Sequence, residues 1–441
     1  MSIFKAYDIR GKVPGELDAE MATAIGRAVI DIYKPEMVIV GRDYRLSNQL
    51  LFEALSAGII SMGADVIDLG YVTTPNLYFA AGRGNFPMGV MITASHNPGE
   101  YNGFKIVKAG SFPLQEDELQ EIKKRAEAGV DSPPGPSGTM GRMDILRDYR
   151  DHVHCFAEGL SPLKVVMDAG NAVPGSLIPH VFQGLPLTIL DLFFEPDGTF
   201  PNHQADPIKA ENREAAREKL LEEGADMACV FDGDGDRVIF LDEKGEVVPG
   251  DMTTLIIALD HLAAGDKGPF LTDCRSSWIV EETLEAKGAG VIKSRVGHSF
   301  IKKTMRAEGA SFGGELSGHY YFKANYFTEN SDLAVLRIMR MMARQKVTLS
   351  ELTAPYRVYS NSGEINSTVE NKEGIMAALE NEYGAKGGRV SHIDGVTVEF
   401  DDWWFNVRPS NTEPLLRLNV EGRTEEVMAE NRDALLKVIR G

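Results

Sequence analysis

Met37-Val-Ile-Val-Gly-Arg-Asp43 is a near-continuous apolar run that ends in a polar turn, and it leads through a helical stretch at 48–62 into the short strand Ala64-Asp-Val-Ile-Asp-Leu69. The same order returns twice. Lys164-Val-Val-Met-Asp168 leads through Gly175-Ser-Leu-Ile-Pro179 to Leu187-Thr-Ile-Leu-Asp-Leu192, and Phe270-Leu-Thr-Asp273 leads through 279–287 to Gly290-Val-Ile-Lys293. Each run is apolar enough to be buried on both faces, and each is followed by an amphipathic segment, which is the pattern of a βαβ unit. Three such units predict three related α/β layers, with right-handed crossovers and ligand loops at the carboxyl ends of the strands. The Pro/Gly/Ser-rich stretch Ser132-Pro-Pro-Gly-Pro-Ser-Gly138 reads as the divider between the first unit and the next. After about residue 358 the character changes to strands at 364–369, 395–400, 404–407 and 415–421, with a helix at 372–383 and a closing helix at 424–439. That is a helix-and-meander α+β segment.

Outward from these strands lie the loops. Ala225-Asp-Met-Ala-Cys-Val-Phe231 is strand-like and runs directly into Asp232-Gly-Asp-Gly-Asp-Arg237, three carboxylates and a guanidinium in one tight turn. Such a density of like charge calls for a cation, oxygen-only ligands select a hard ion, and Mg²⁺ is the default because it leaves positions for phosphate oxygens. A calcium loop of the EF-hand kind is the main rival, and Glu243 stands at its distal position. Against it, Arg237 replaces the required glycine and Val238-Ile-Phe-Leu241 reads as a buried strand. A solvated turn with no ion is the third reading.

Three more segments carry chemistry-bearing residues in loops. Thr93-Ala-Ser-His-Asn-Pro98 follows the apolar run Gly89-Val-Met-Ile92, so a strand delivers Ser95 and His96 into a polar loop. Gly314-Glu-Leu-Ser-Gly-His319 offers a carboxylate, a hydroxyl and an imidazole, suited to sugar hydroxyls or to a plain loop. Arg408-Pro-Ser-Asn-Thr-Glu-Pro414 gathers donors that suit a phosphate dianion or a capped turn.

Together and in this order, the four segments resemble the signature loops of the α-D-phosphohexomutase superfamily: phosphoserine, metal, sugar-binding and phosphate-binding. The resemblance runs from Ala6-Tyr-Asp-Ile-Arg-Gly11 to Glu421-Gly422, and it is closest to the phosphomannomutase and phosphomannomutase/phosphoglucomutase branch. It implies three mixed α/β domains around a central cleft, at 1–143, 144–249 and 250–357, and a TATA-binding-protein-like phosphate-binding domain at 358–441. It implies interconversion of mannose 6-phosphate and mannose 1-phosphate, with glucose phosphates also accepted, through a hexose 1,6-bisphosphate. Ser95 would carry the phosphoryl group. Ser95, Asp232, Asp234 and Asp236 would hold Mg²⁺. Arg10, Lys105 and Arg237 would lie near the reacting oxygens, with Lys105 suited to acid–base work by a depressed pKa, and His96 would orient the phosphoserine. Tyr7, His298, Glu315, Ser317 and His319 would meet the sugar; Arg408, Ser410, Asn411 and Thr412 would grip the distal phosphate. Some members of the branch carry a lysine where this chain has Thr272-Asp-Cys-Arg275, which leaves the contacts of Arg275 open. A phosphoglucosamine mutase, a metal-dependent sugar phosphatase and a non-catalytic sugar-phosphate binder are the alternatives.

Composition bounds the rest. The 441 residues are 43% hydrophobic, enough for several separately cored domains, and the net charge of −19 argues against a nucleic-acid surface. A field of that sign also repels a sugar phosphate, so the site must supply local positive charge. Three widely spaced cysteines, no apolar run long enough to cross a bilayer and no secretory leader predict a cytoplasmic protein in a reducing compartment, monomeric or a homodimer.

Overall fold

The structure is a computed structural model, and it describes every residue except 1, 2, 6, 85 and 411–413. Four sheets follow one another along the chain, of seven, five, five and six strands.

The first three are variations on one plan. In the first sheet, Met37–Arg42 lies parallel to Asp65–Tyr71 on one side and to Met88–Ile92 on the other, and Tyr101–Lys108 turns back antiparallel beside the latter. In the second, Leu163–Asp168 lies between Leu187–Leu192 and Met227–Phe231, both parallel to it, and Val238–Asp242 turns back antiparallel. In the third, Phe270–Asp273 lies between Val291–Ser294 and Phe312–Gly314, with Tyr320–Phe322 antiparallel. The predicted βαβ units are therefore the first half of a longer repeat. Its second half adds another helix, Thr74–Arg83, Glu214–Glu223 or His298–Glu308, and then a β-hairpin. The central strands are sealed on both faces, with Val38, Ile39, Val40, Val165, Val166, Met167 and Leu271 all at 0% exposure, which explains their unbroken apolar sequences.

This plan decides where the loops go. The Ser95 loop, the Asp232 loop and the Glu315 loop each join the third parallel strand to the antiparallel one, so they are the same loop in three related sheets. Each leaves the carboxyl end of a parallel strand, where open α/β sheets bind ligands.

The Ser132–Gly138 stretch does not divide the first unit from the second. It runs from the helix Glu116–Ala128 to Met140–Arg142, which pairs in parallel with Asp65–Tyr71 at the edge of the first sheet. Its Pro and Gly content marks a surface loop within that unit.

The fourth sheet is an antiparallel meander, Val396–Glu399, Trp403–Pro409 and Leu415–Gly422, covered by the helices Lys372–Ala385 and Glu425–Arg440. Its core, from Val369 to Ile439, is separate. One core cluster runs through Phe231, Leu255, Phe312 and Leu352 and so joins the second and third units, reaching the first at Phe79, while the first unit also has clusters of its own around Ile25 and Leu77. Among the described residues no helix is long and apolar enough to cross a membrane.

Candidate active site

The Asp232 turn sits where the three loops meet. Asp232, Asp234 and Asp236 are buried, and one oxygen from each lies within 4.8 Å of the others. Gly233 allows the loops to close: a Cβ there would stand 2.3 Å from the Ser95 carbonyl oxygen. Ser95 Oγ donates to Asp232 Oδ2 at 2.8 Å and lies 3.1 Å from His96 Nδ1. Ser95 holds a positive φ of 52°, a conformation a non-glycine residue keeps only when its surroundings fix it.

What fixes it is Arg45, a residue the sequence reading passed over. Its guanidinium is anchored on Asp43 Oδ2 at 3.2 Å and donates to the carbonyls of Ser95 (2.6 Å), Asn97 (2.7 Å), Pro98 (2.7 Å) and Tyr101 (2.9 Å). The rigid planar fork satisfies four loop carbonyls at once. Arg10, from the strand Ile9–Lys12, donates to Asn97 Oδ1 at 2.7 Å on the same loop and to Asp8 Oδ2 at 2.6 Å. The helix Thr74–Arg83 contributes Thr74, whose Oγ1 reaches Asp234 Oδ2 at 2.6 Å.

Lys105 lies between two of the carboxylates, 2.6 Å from Asp234 Oδ2 and 2.5 Å from Asp236 Oδ2. The expected depressed pKa is not found. Burial pulls it down, but Asp234, Asp236 and Asp232 outweigh burial and raise it above the ordinary lysine value. The remaining negative charge is shed on Asp232, which burial and then Asp234 and Asp236 push well above the usual carboxylate range. Among the described residues, buried Asp234 Oδ1 has no hydrogen-bond partner. A hard divalent cation bound by oxygen fits this donor set. His96 is pushed well below the ordinary histidine value by burial, then by Arg237 and Arg10, so it is a neutral imidazole.

The third loop is stitched to the second. Arg237 Nε lies 3.2 Å from His319 Nε2 and 3.8 Å from Asp232 Oδ2, and His319 Nε2 lies 3.3 Å from Asp236 Oδ1. On its other side His319 Nδ1 meets Glu315 Oε2 at 2.9 Å and Ser317 Oγ at 3.0 Å. Burial and Arg237 oppose charge on His319, yet Asp236 and Glu315 raise it to about 9. Burial would raise Glu315, but His319, Tyr321 and the Gly297 N–H bring it down to about 2. Both Glu315 oxygens are engaged within the protein, one by Gly297 N (2.9 Å) and one by the Tyr321 hydroxyl (2.6 Å). His298 begins the helix His298–Glu308, with Tyr7 edge-on at 5.0 Å between ring centroids.

Arg408 and Ser410 stand apart from this group, on the fourth sheet; Asn411 and Thr412 lie outside the described residues. Arg408 donates to Glu364 Oε2 at 2.6 Å, Lys372 Nζ donates to the Ser410 carbonyl at 3.0 Å, and a relay joins Arg408 to the Glu315 loop. Glu364 Oε2 also accepts from Arg275 at 3.1 Å, Arg275 grips Asp273 Oδ2 at 2.7 Å, and that same oxygen accepts from Leu316 N at 3.0 Å. Sequence reading missed Glu364, Lys372 and Thr74. It could have found Arg45 and Arg275 together, because Asp43-Tyr-Arg45 and Asp273-Cys-Arg275 are the same short motif after equivalent strands.

Comparisons with known proteins agree with this geometry. Four successive segments match phosphoglucomutase/phosphomannomutase alpha/beta/alpha domains I (residues 1–131), II (146–245) and III (249–359) and the C-terminal domain (364–438). A phosphomannomutase of Salmonella typhimurium is 37% identical over 448 residues, covering 99% of this chain and 98% of that protein. One of Escherichia coli K12 is 36% identical, covering 99% and 98%. The crystal structure of a phosphoglucomutase/phosphomannomutase family protein from Burkholderia thailandensis superimposes with a TM-score of 0.91 at 32% identity, covering 99% of this chain and 96% of that one. With four ordered domains matched and full-length identity above a third, the protein belongs to the phosphoglucomutase/phosphomannomutase family.

Proposed function

We propose that the protein interconverts mannose 6-phosphate and mannose 1-phosphate, and accepts the glucose phosphates at the same site, through a phosphoserine at Ser95 and a hexose 1,6-bisphosphate. The observation that carries this reading is the Ser95 hydroxyl held 2.8 Å from Asp232 at the edge of the carboxylate cluster, in a backbone conformation fixed by Arg45. The identity to phosphomannomutases supports the substrate class.

The two phosphorylated oxygens of a hexose are too far apart for direct transfer within one ring, so an enzyme-held phosphate must mediate. In the first half-reaction the phosphoryl group leaves Ser95 Oγ for the free sugar hydroxyl. In the second it returns to Ser95 from the other end of the turned sugar. Asp232, Asp234 and Asp236, with the phosphate on Ser95, would hold Mg²⁺, which when bound supplies charge stabilisation at the phosphoryl oxygens. As the Oγ–P bond breaks, Ser95 Oγ gains a proton and the attacking hydroxyl loses one; Lys105 would give the first and take the second, ending each half-reaction protonated as it began. His96, neutral and 3.1 Å from Ser95 Oγ, orients the ester. Arg10 and Arg237 border the transferring group and counter the net charge of −19.

Ser317 and His319 would hold ring hydroxyls common to both orientations, with Glu315 fixing the imidazole, and Tyr7 and His298 would wall the sugar. Mannose and glucose differ only at C2, so a site that grips elsewhere accepts both. Arg408 and Ser410, with Asn411 and Thr412, would bind the phosphate that does not react; each charge-assisted hydrogen bond there is worth roughly 1.5–3 kcal/mol.

The test is a coupled assay with mannose 1-phosphate, glucose 1-phosphate and glucosamine 1-phosphate, run side by side on the protein and on Ser95→Ala. The expected result is turnover of the first two and loss of at least about a thousandfold in the variant. Equal turnover by the variant would defeat the phosphoserine route, and a preference for the amino sugar would reassign the substrate.

A further inference from the structure

Glu364, in the fourth unit, is a carboxylate shared by three arginines. Its Oε2 accepts from Arg408 at 2.6 Å and from Arg275 at 3.1 Å, and its Oε1 accepts from Arg417 at 3.1 Å. Three guanidiniums from two units thus converge on one side chain, and Arg275 is further matched by Asp273 at 2.7 Å. Glu364 is not sealed in: its side chain is 25% exposed, against 10% for Arg408 and 7% for Arg275. It is more accessible than Arg408 and Arg275, and it lies just before the strand Ile365–Thr368. Burial raises its pKa, but Arg408, then Arg275 and Arg417, bring it below the ordinary glutamate value, so it is an anion at neutral pH.

A carboxylate and a phosphate present the same thing to a guanidinium, a pair of oxygens matched to its fork. We infer that Glu364 is an internal anion that stands in for the substrate's non-reacting phosphate on Arg408, and that a phosphate must displace it to bind. This rests on the reading of the Arg408 loop as the phosphate site. A pocket of bare arginines would grip a dianion so tightly that the bisphosphate could not let go to turn over. A competing carboxylate keeps the arginines in position while it weakens the hold. Through Arg275, Asp273 and the Leu316 N–H, its displacement also reaches the backbone of the sugar loop. Glu364 is in these terms a positioning residue that acts through Arg408.

The sign of one substitution separates this from a plain structural role. A glutamate that only orients Arg408 should weaken phosphate binding when neutralised, whereas a competitor should strengthen it. Inorganic phosphate is titrated calorimetrically into the full chain and into Glu364→Gln, Glu364→Asp and Arg408→Ala. The expected result is binding about tenfold tighter in Glu364→Gln, a smaller gain in Glu364→Asp, and a large loss in Arg408→Ala. With mannose 1-phosphate as substrate, Glu364→Gln should lower KM and kcat together, because the bisphosphate is released and turned more slowly. If Glu364→Gln does not fold, the direction of change in Glu364→Asp decides the matter. Unchanged or weaker phosphate binding in the glutamate variants, with binding lost in Arg408→Ala, would overturn the displacement alone. Binding untouched by Arg408→Ala would overturn the phosphate-site reading, and the inference with it.

Discussion

At the scale of single residues, the site is an exercise in placing charge where water cannot reach it. Arg45 shows how, with no exposed side-chain surface, an ion pair to Asp43 and four loop carbonyls as acceptors. A buried guanidinium persists only when its donors are so matched. His319 shows the consequence for titration. Its folded value of about 9 lies above the ordinary 6.5, so between those values the folded state holds a proton that the unfolded chain has lost. Its contribution to stability is complete below 6.5 and disappears as the pH rises through about 9. Chelator-treated protein should therefore lose on the order of 2 kcal/mol between pH 6 and pH 9.5 through this group. Urea unfolding at the two pH values measures the loss, and His319→Gln should flatten it. An imidazole that titrates near 6.5 by NMR in the chelated protein would show that Asp236 and Glu315 do not hold the proton.

At the scale of elements, the three loops of the candidate site owe their meeting to one repeated hairpin connection, and the sequence showed this only in part. The central strands were legible because burial on both faces leaves an unbroken apolar run, as in Met37–Arg42 and Met227–Phe231. Helices with weaker patterns were not. Gly250–Ala263 is buried almost all round, so it has no polar face to give a period, and His298–Glu308 hides its start behind Gly297, which has no capping side chain. Ser95, the aspartates and His319 were legible as dense polar loops. Thr74 and Glu364 were not, because each acts across a long stretch of chain; Thr74 meets Asp234 at a separation of 160 residues, whereas Arg45 left a trace in the repeated motif Asp43-Tyr-Arg45 and Asp273-Cys-Arg275. The contact between loops is equally non-local, and it hangs on Gly233. A methyl group there would stand 2.3 Å from the Ser95 carbonyl oxygen, and backbone on both sides gives little room to yield. Gly233→Ala should push the serine from the aspartates and lower kcat about a hundredfold. The phosphate site proposed at Arg408 is untouched, so KM should change little. Steady-state kinetics on a variant with wild-type melting behaviour tests this, and undiminished kcat would mean that the loops need not be so close.

At the scale of the whole molecule, the distribution of apolar contacts separates the part that can move from the part that cannot. One core cluster joins the second and third units and reaches the first at Phe79, whereas the core of the fourth unit, from Val369 to Ile439, shares no buried apolar residue with the others among the described residues. Its links to the third unit are largely polar. Glu421 accepts from the Trp278 N–H at 2.9 Å, Glu399 from the Trp278 indole at 2.6 Å, and Tyr359 donates to Glu282 at 2.6 Å. Polar interfaces of this sort rearrange at small cost. The chain crosses to the fourth unit through 356–362, which holds only the short strand Ser360–Asn361. A sugar that must turn without escaping needs a cleft that loosens and closes, and the fourth unit, carrying Arg408, is the one free to do it. Small-angle scattering should therefore show a smaller radius of gyration with glucose 1,6-bisphosphate than without, and hydrogen exchange should slow at 356–362 while the core shared by the second and third units is unchanged. Superimposable profiles, with no change in exchange across that connection, would mean that the sugar turns inside a cleft of fixed width.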